Sequence, residues 1–470
     1  MVPEVYEIVL ADCCKAITPL FPIVKAPIEA PEKMTFGDID ILVSLEGSSF
    51  TQDDVNDPQK IAVWIAIEKA LKAVNVFQEG KLVSSKSIAI PWPIDLSEDV
   101  MAGQVAVESA AGRKADSKRG EASSKAVGLS HEAEPTNRFI QVDIQLCSTN
   151  QELRWRVFKH DHGDMWNILG AIIRPYGLTA NEEALYIRIP EIEQADKKRA
   201  RVFLTNCPPK ALEFILRDQQ DEWTRRFSSI DALFDYTSRC KWFHNWLSCK
   251  IEEGNAGIKD SLKSNDRQRM SQRPIFARWA EEYVPKQIAL NRSSFYIESR
   301  ASIAVRDEVR AAAFDAFPHA EERYIRQLAA WNKEKARIFV KNKLIKDDMA
   351  LPDSIACALP VPQEGSSVAE VEKNWRGVLR SALTKLIVDQ CGGEGMAPPH
   401  VRDKYGVLII DEVRKWIAKN WEAVGRAAWT EQCARAAESM RSKQARLQSM
   451  EETKSEGNQP HDIEEEVLRK

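Results

Sequence analysis

Apolar and polar positions change period several times along this chain, and each change marks an element. Residues 5–17 carry Val5, Ile8, Val9 and Cys13 at helical spacing, which predicts a short amphipathic helix that the prolines at 19, 22, 27 and 31 end. A strand is expected over 38–44. Asp57 and Pro58 then stand as cap and first residue of a helix reaching about 74, and KLVSSKSIAIPWP alternates like a strand. Residues 101–137 hold almost no large apolar side chain and predict a disordered insertion. Regular alternation resumes over 138–147, followed by helices over 150–158 and 164–173 and a strand pair near 184–189 and 201–204. Beyond 221 the period is helical: Ser228 and Asp231 resemble a capping box, and helices are expected over 276–284, 301–317, 320–343, 368–388 and 407–447. The polar residues 451–470 predict a disordered tail.

The fold class is therefore α+β. A small mixed sheet with helices is expected in 1–100 and 138–220, interrupted by the 101–137 insertion, and a largely α-helical C-terminal domain in 221–450. A chain of 470 residues with 44% hydrophobic content is long enough for two or three packed units. Its 66 basic against 70 acidic residues leave a net charge of -4, so any nucleic-acid surface must be local rather than a global field. Nine cysteines without a C-x-x-C pair fit a reducing compartment. The N-terminal stretch is broken by Glu7, Asp12 and Lys15, so neither a signal peptide nor a membrane span is expected, and a cytoplasmic or nuclear location follows.

Candidate chemistry concentrates in two strands. In FGDIDILVS a strand points Asp38 and Asp40 to one side and Ile39, Ile41 and Val43 to the other; in RFIQVDIQLC the same alternation isolates Asp143 with Gln141 and Gln145. Aspartate is a poor strand former, and a carboxylate is costly to desolvate, so three of them in strand-like runs call for cations. Mg²⁺ (or Mn²⁺) is the simplest, since hard divalent ions take carboxylate and phosphate oxygens and serve in-line phosphoryl displacement. The other reading of the same spacing is a turn at Asp38 after Gly37, with Asp40 and Asp143 on a solvated sheet face.

Three ordered stretches carry a resemblance to the nucleotidyltransferase superfamily, closest in motif order to DNA polymerase beta-like (family X) enzymes. Residues 37–44 (GDIDILVS) resemble the G-D-x-D motif whose two aspartates hold the metals, and 141–145 (QVDIQ) resemble the strand bearing the third carboxylate. Residues 177–186 (GLTANEEALY) are similar to the thumb segment, and 205–216 (TNCPPKALEFIL) to its final helix. The resemblance, spanning roughly 33–216, implies a palm and thumb in which Asp38, Asp40 and Asp143 are catalytic metal ligands, with Gly37 and Asn181 beside a nucleoside triphosphate. The family's upstream Gly-Ser pair is missing, because no Gly or Ser precedes Gly37. Lys33 and Thr35 stand in as the expected phosphate donors. The sugar-contacting segment is expected near 168–172, where the chain reads ILGAI, and the absence of room for a helix-hairpin-helix module argues against template-directed repair.

Other constellations are weaker. His160-Asp161-His162-Gly163-Asp164 is dense in metal-capable groups but reads best as a polar helix start. Trp223, Trp242, Trp246, Phe227, Phe234, Tyr236 and Phe243 among basic residues suit either base stacking or a packing core. The stretch 322–346 is the best local basic helix for nucleic acid. The expected activity is metal-dependent transfer of a nucleotidyl group from a nucleoside triphosphate. The alternative is a catalytically degenerate palm acting as a scaffold through its helical C-terminal half.

Overall fold

The computed structural model describes residues 1–51, 62–77, 84–93, 138–216, 222–252, 270, 273–291, 302–344, 359–360, 367–390, 401–403 and 405–456. The expected insertion over 101–137, the Asp57–Pro58 helix start and the tail beyond 456 lie outside them. Two compact units emerge, Met1–Glu321 and Glu322–Lys470.

The first unit is built on a five-stranded mixed sheet of order β1-β2-β5-β4-β3, comprising β1 (Val24–Lys25), β2 (Asp38–Ser44), β3 (Asn75–Phe77), β4 (Ser85–Pro91) and β5 (Phe139–Cys147). Only β2 and β5 run parallel. One face of the sheet carries Ile39, Ile41, Val43, Ile88, Ile90, Ile140, Val142 and Ile144, all buried. Helix α1 (Pro3–Ile17) covers it with Val5, Tyr6, Val9, Cys13 and Ile17, and α2 (Ala62–Ala70) with Val63, Trp64 and Ile67. Burying each of these large side chains is worth about 1.5–3 kcal/mol. That sum pins the register, because a slip of one residue would expose the isoleucines and push the aspartates into the core.

The opposite face is partly roofed. Helix α3 (Asn150–His160) starts at Thr149, whose hydroxyl accepts from the Glu152 amide, and lays Leu153 against Leu42 and Cys147. The roof therefore closes over the C-terminal halves of β2 and β5, while Asp38, Asp40 and Phe139 at their N-terminal ends stay exposed. After α4 (Met165–Ile173) comes a three-stranded antiparallel sheet of β6 (Leu178–Ala180), β7 (Leu185–Arg188) and β8 (Arg201–Thr205), then α5 (Pro208–Leu216). The strand pair expected near 184–189 and 201–204 is β7 with β8.

The expected domain boundary at 221 is not where the structure divides. Helices α6 (Ile230–Ser238) and α7 (Phe243–Glu252) belong to the first unit, where the Trp223 and Phe158 ring centroids are 4.6 Å apart and Phe227 and Tyr236 meet at a tilt behind them. Trp223, Phe234, Tyr236, Phe243 and Trp246 are buried, which makes the aromatic segment core rather than a stacking surface. Helix α6 is capped by Ser229, one residue after the expected Ser228. A fragment ending at Asp221 should thus expose the α3/α4 aromatics, bind a hydrophobic dye and melt without cooperativity, whereas one ending at Glu321 should give a single sharp transition by circular dichroism.

The second unit contains most of α10 (His319–Phe339), together with α11 (Val368–Thr384) and α12 (Ile410–Glu456), numbered after the helices Pro274–Arg278 (α8) and Ser302–Ala316 (α9) of the first. Its core joins Trp375, Leu379 and Leu383 to Val413, Ile417, Trp421 and Val424. Gly425 is there because α11 comes too close for a side chain: a Cβ at that position would stand 2.4 Å from the Trp375 ring. Helix α12 runs to Glu456, six residues into the expected tail.

Candidate active site

The parallel pairing of β2 with β5 sets Asp38 beside Gln141 and Asp40 beside Asp143. Residues paired in register share a face, and neighbouring strands are about 4.8 Å apart, so the three carboxylates stand together on the unroofed end of the sheet. Asp38 and Asp40 are exposed and Asp143 half-buried. The crowding has an electrostatic signature. The Asp40 carboxyl is pushed up to about 6, first by desolvation among neighbouring groups and then by the negative charges of Asp38 and Asp143, against the pull of His160.

Gln141 is a residue that the motifs did not single out, although the strand alternation had put it on this face. Its Nε2 donates to both Asp143 oxygens, at 2.9 and 3.2 Å, and so turns that carboxylate along its own strand. Among the described residues, no three His, Cys, Asp or Glu side chains converge into a ready metal cage. The donors are nonetheless of the kind a hard divalent ion takes: carboxylate oxygens, with Asp38 and Asp143 close enough to raise the proton affinity of Asp40.

The approach to Asp38 is held by a second cluster. Lys33 Nζ lies 2.8 Å from Glu29, whose other oxygen accepts from the Tyr6 hydroxyl at 3.0 Å. The Lys33 ammonium also sits 4.5 Å from the Phe36 ring, itself stacked on Tyr6 at 4.0 Å. Burial first and Glu29 second hold the Tyr6 hydroxyl protonated far beyond its ordinary range. Lys33 is thus already paired with an acid, which sequence alone did not indicate. Thr35 is exposed, and above Gly37 there is open space, with no atom within 4 Å of where a Cβ would lie.

Across from these residues, the C-terminal end of α3 brings in His160, whose Nε2 is 3.0 Å from Glu182. Beside it the Lys159 ammonium, 4.6 Å from the Trp166 ring centroid, is lowered to about 8 by burial against the favourable charge of Glu182. His160 acts electrostatically on Asp40, so this imidazole borders the carboxylate cluster. Asn181 behaves differently from the expectation: its Oδ1 accepts from the Glu183 and Ala184 amides at 2.9 and 3.0 Å, which closes the turn between β6 and β7. Its oxygen is spent on the backbone, as an Asx turn requires.

Two further expectations meet a structural reason. Residues 168–172, where the resemblance implies the sugar contact, lie inside α4 with Ile168, Leu169 and Ile172 fully buried, so they face core rather than ligand. In the 160–164 stretch, Asp161 accepts from the Ile28 amide at 2.8 Å and from Trp223 Nε1 at 3.1 Å, while His162 is buried with Nε2 2.8 Å from the Trp223 carbonyl oxygen. Asp164 stands at the N-cap position of α4 without a side-chain capping bond and accepts from the Phe276 amide at 3.3 Å. These groups tie the chain together and are not gathered for a metal.

A cleft of about 700 Å³ lies between β1, α3 and the start of α5, and none of the three aspartates lines it. In the second unit, the basic stretch of α10 is partly compensated: Lys333 and Arg337 both reach Asp389, and Arg326 pairs with Glu322. Among the described residues no helix is long and apolar enough to cross a membrane. Cys13, Cys14, Cys147, Cys207, Cys240, Cys249 and Cys433 are free thiols. No protein-family model matches this chain, and no curated protein matches it in sequence.

Proposed function

We propose that the first unit is a metal-dependent nucleotidyltransferase that moves a nucleotidyl group from a nucleoside triphosphate to an acceptor hydroxyl. The observation that carries this reading is the register: Asp40 opposite Asp143 with Asp38 two residues before, on the one part of the sheet that α3 leaves open. Asp38, Asp40 and Asp143 would hold Mg²⁺ or Mn²⁺, which when bound supplies the positive charge that a phosphoryl transfer needs around the triphosphate. The acceptor oxygen forms its bond to the α-phosphorus as the bridging P–O bond breaks, and pyrophosphate leaves with the electron pair. Asp143, oriented by Gln141 Nε2, would take the acceptor proton. Lys33 and His160, each held by a glutamate, are the side chains we assign to meet an incoming polyphosphate.

A scaffold reading draws its support from the Gln141 clamp on both Asp143 oxygens and from the lack of a preassembled three-ligand cage among the described residues. Calorimetric titration with each nucleoside triphosphate in Mg²⁺ or Mn²⁺, followed by transfer of labelled nucleotide to nucleic-acid and protein acceptors, separates the two. Binding and transfer support the enzyme. No heat and no product under any condition support the scaffold.

Gly37 offers a test that does not touch a carboxylate. Its φ is not in the left-handed region and a Cβ meets nothing, so Gly37→Ala should leave the melting temperature unchanged or raise stability by up to about 1 kcal/mol through the unfolded chain. If the triphosphate approaches the backbone there, the same methyl weakens its binding in calorimetry. Unchanged nucleotide affinity would remove Gly37 from the site.

A further inference from the structure

The cleft between β1, α3 and the start of α5 takes no part in the proposed transfer, since Asp38, Asp40 and Asp143 all lie outside its lining. Its volume of about 700 Å³ falls within the roughly 300–1,000 Å³ of small-ligand sites. The sequence makes the walls apolar in two ways. Helix α3 turns Val157 and Phe158 to the cleft three and four residues after Arg154, the spacing of a single helix face. Helix α5 begins with Pro208 and Pro209, which have no N–H and so remove two of the donors that a helix start leaves unsatisfied. Leu153, Phe158 and Trp223 are buried beneath, while Val157, Pro208 and Pro209 are only half-buried, so apolar surface is left uncovered along the walls.

Charge in the lining is asymmetric. Its one carboxylate, Asp161, is buried and fully engaged, with the Ile28 amide on one oxygen and Trp223 Nε1 on the other. Its two cations, Lys25 on β1 and Arg154 on α3, are exposed, and neither is paired with an acid among the described residues. Elsewhere on α3 the basic groups do have acids, Arg156 with Glu152 and His160 with Glu182. The neutral donors of the cleft are spent as well, Gln151 on the Asn206 carbonyl oxygen and Thr18 on that of Cys14.

We infer that this cleft binds a small amphipathic carboxylate of the medium-chain fatty-acid class, its chain against Phe158, Val157 and Trp223 and its carboxylate at Lys25 and Arg154. The inference does not rest on nucleotidyl transfer. A cationic amphipath would meet two like charges and an acid whose oxygens are already taken. A small hydrophilic anion would gain only exposed ion pairs, which contribute little, whereas each CH₂ that enters the cleft strengthens binding by about fourfold.

The test is calorimetric titration of the full chain with hexanoate, octanoate and decanoate below their micelle concentrations, and with decyltrimethylammonium as the cationic control. One saturable site is expected, with affinity rising by up to about fourfold per CH₂ along the acid series. The double variant Lys25→Gln, Arg154→Gln should weaken decanoate binding by roughly 2- to 30-fold. Both positions are exposed, so the wild-type circular dichroism is kept. Position is read at Cys207, a half-buried free thiol in the lining. Decanoate should slow its alkylation by iodoacetamide in peptide mass mapping and leave the exposed Cys433 on α12 unaffected. The inference is overturned by absent or unsaturable decanoate binding, by equal affinity for the ammonium compound, by equal affinity in the double variant, or by an unprotected Cys207. Co-sedimentation with phosphatidylglycerol vesicles that the double variant loses, without saturable decanoate binding, also overturns it, by assigning the two cations to a lipid surface.

Discussion

Asp40→Asn should abolish metal-dependent nucleotidyl transfer, by on the order of 10²- to 10³-fold or more, while leaving the fold intact. The amide keeps the shape of the side chain and loses the charge that would face a divalent ion. The stability effect has a definite sign. The folded Asp40 carboxyl lies at about 6, above its ordinary 3.8, so the native state holds this proton more tightly than the unfolded chain does. The contribution of Asp40 to stability is therefore full below about 3.8 and is lost as pH rises through about 6, where ionisation sets it against Asp38 and Asp143. Asparagine removes that repulsion, so the variant should melt at or slightly above wild type at pH 7.5 and converge with it near pH 4. The gain is small because the side chain reaches solvent. Millimolar Mg²⁺ should raise the melting temperature of wild type and not of the variant. Full transfer activity in Asp40→Asn would sink the assignment of the site.

Asp161→Ala should be the most destabilising single change near the site, costing about 2–4 kcal/mol, since it strips one buried and one part-buried donor of their acceptor. Those donors are the Ile28 amide, in the segment that leads to Lys33, and Trp223 Nε1, at the join between α4 and α6. The acid limb of the stability curve should also change. Burial lowers His162 to about 4 from 6.5, so its neutral form supports the fold fully above 6.5 and that support is lost as pH falls towards 4. Burial raises Asp161 to about 6, which gives the opposite slope over much of the same window. In wild type the two slopes offset each other. With Asp161 gone, denaturant melts between pH 6.5 and 4 should show a steeper fall than wild type, and parallel curves would refute this account of the pair.

Much of the architecture was legible in the chain itself, because the hydrophobic effect acts through a local period. Alternation over 38–44 and 138–147 gave both strands and put all three aspartates opposite the isoleucines, since a side chain in a strand has only two faces to choose from. Helical spacing of Val5, Ile8, Val9 and Cys13 gave α1 for an equally local reason. Pairing partners are not local. That β2 and β5 run parallel with Asp40 beside Asp143 depends on two segments about a hundred residues apart, and no spacing within either one encodes it. The Gln141 clamp, the Glu29–Lys33 pair and the His160–Glu182 contact follow from that assembly, as do the charges they leave for a ligand. The structure divides at 321 rather than 221 for the same reason: helical period predicts helices, but only the tertiary structure decides which aromatic face Trp223 and Tyr236 will bury against. Sequence thus determined what each segment is and which way its side chains face, and the tertiary structure decided which of them meet.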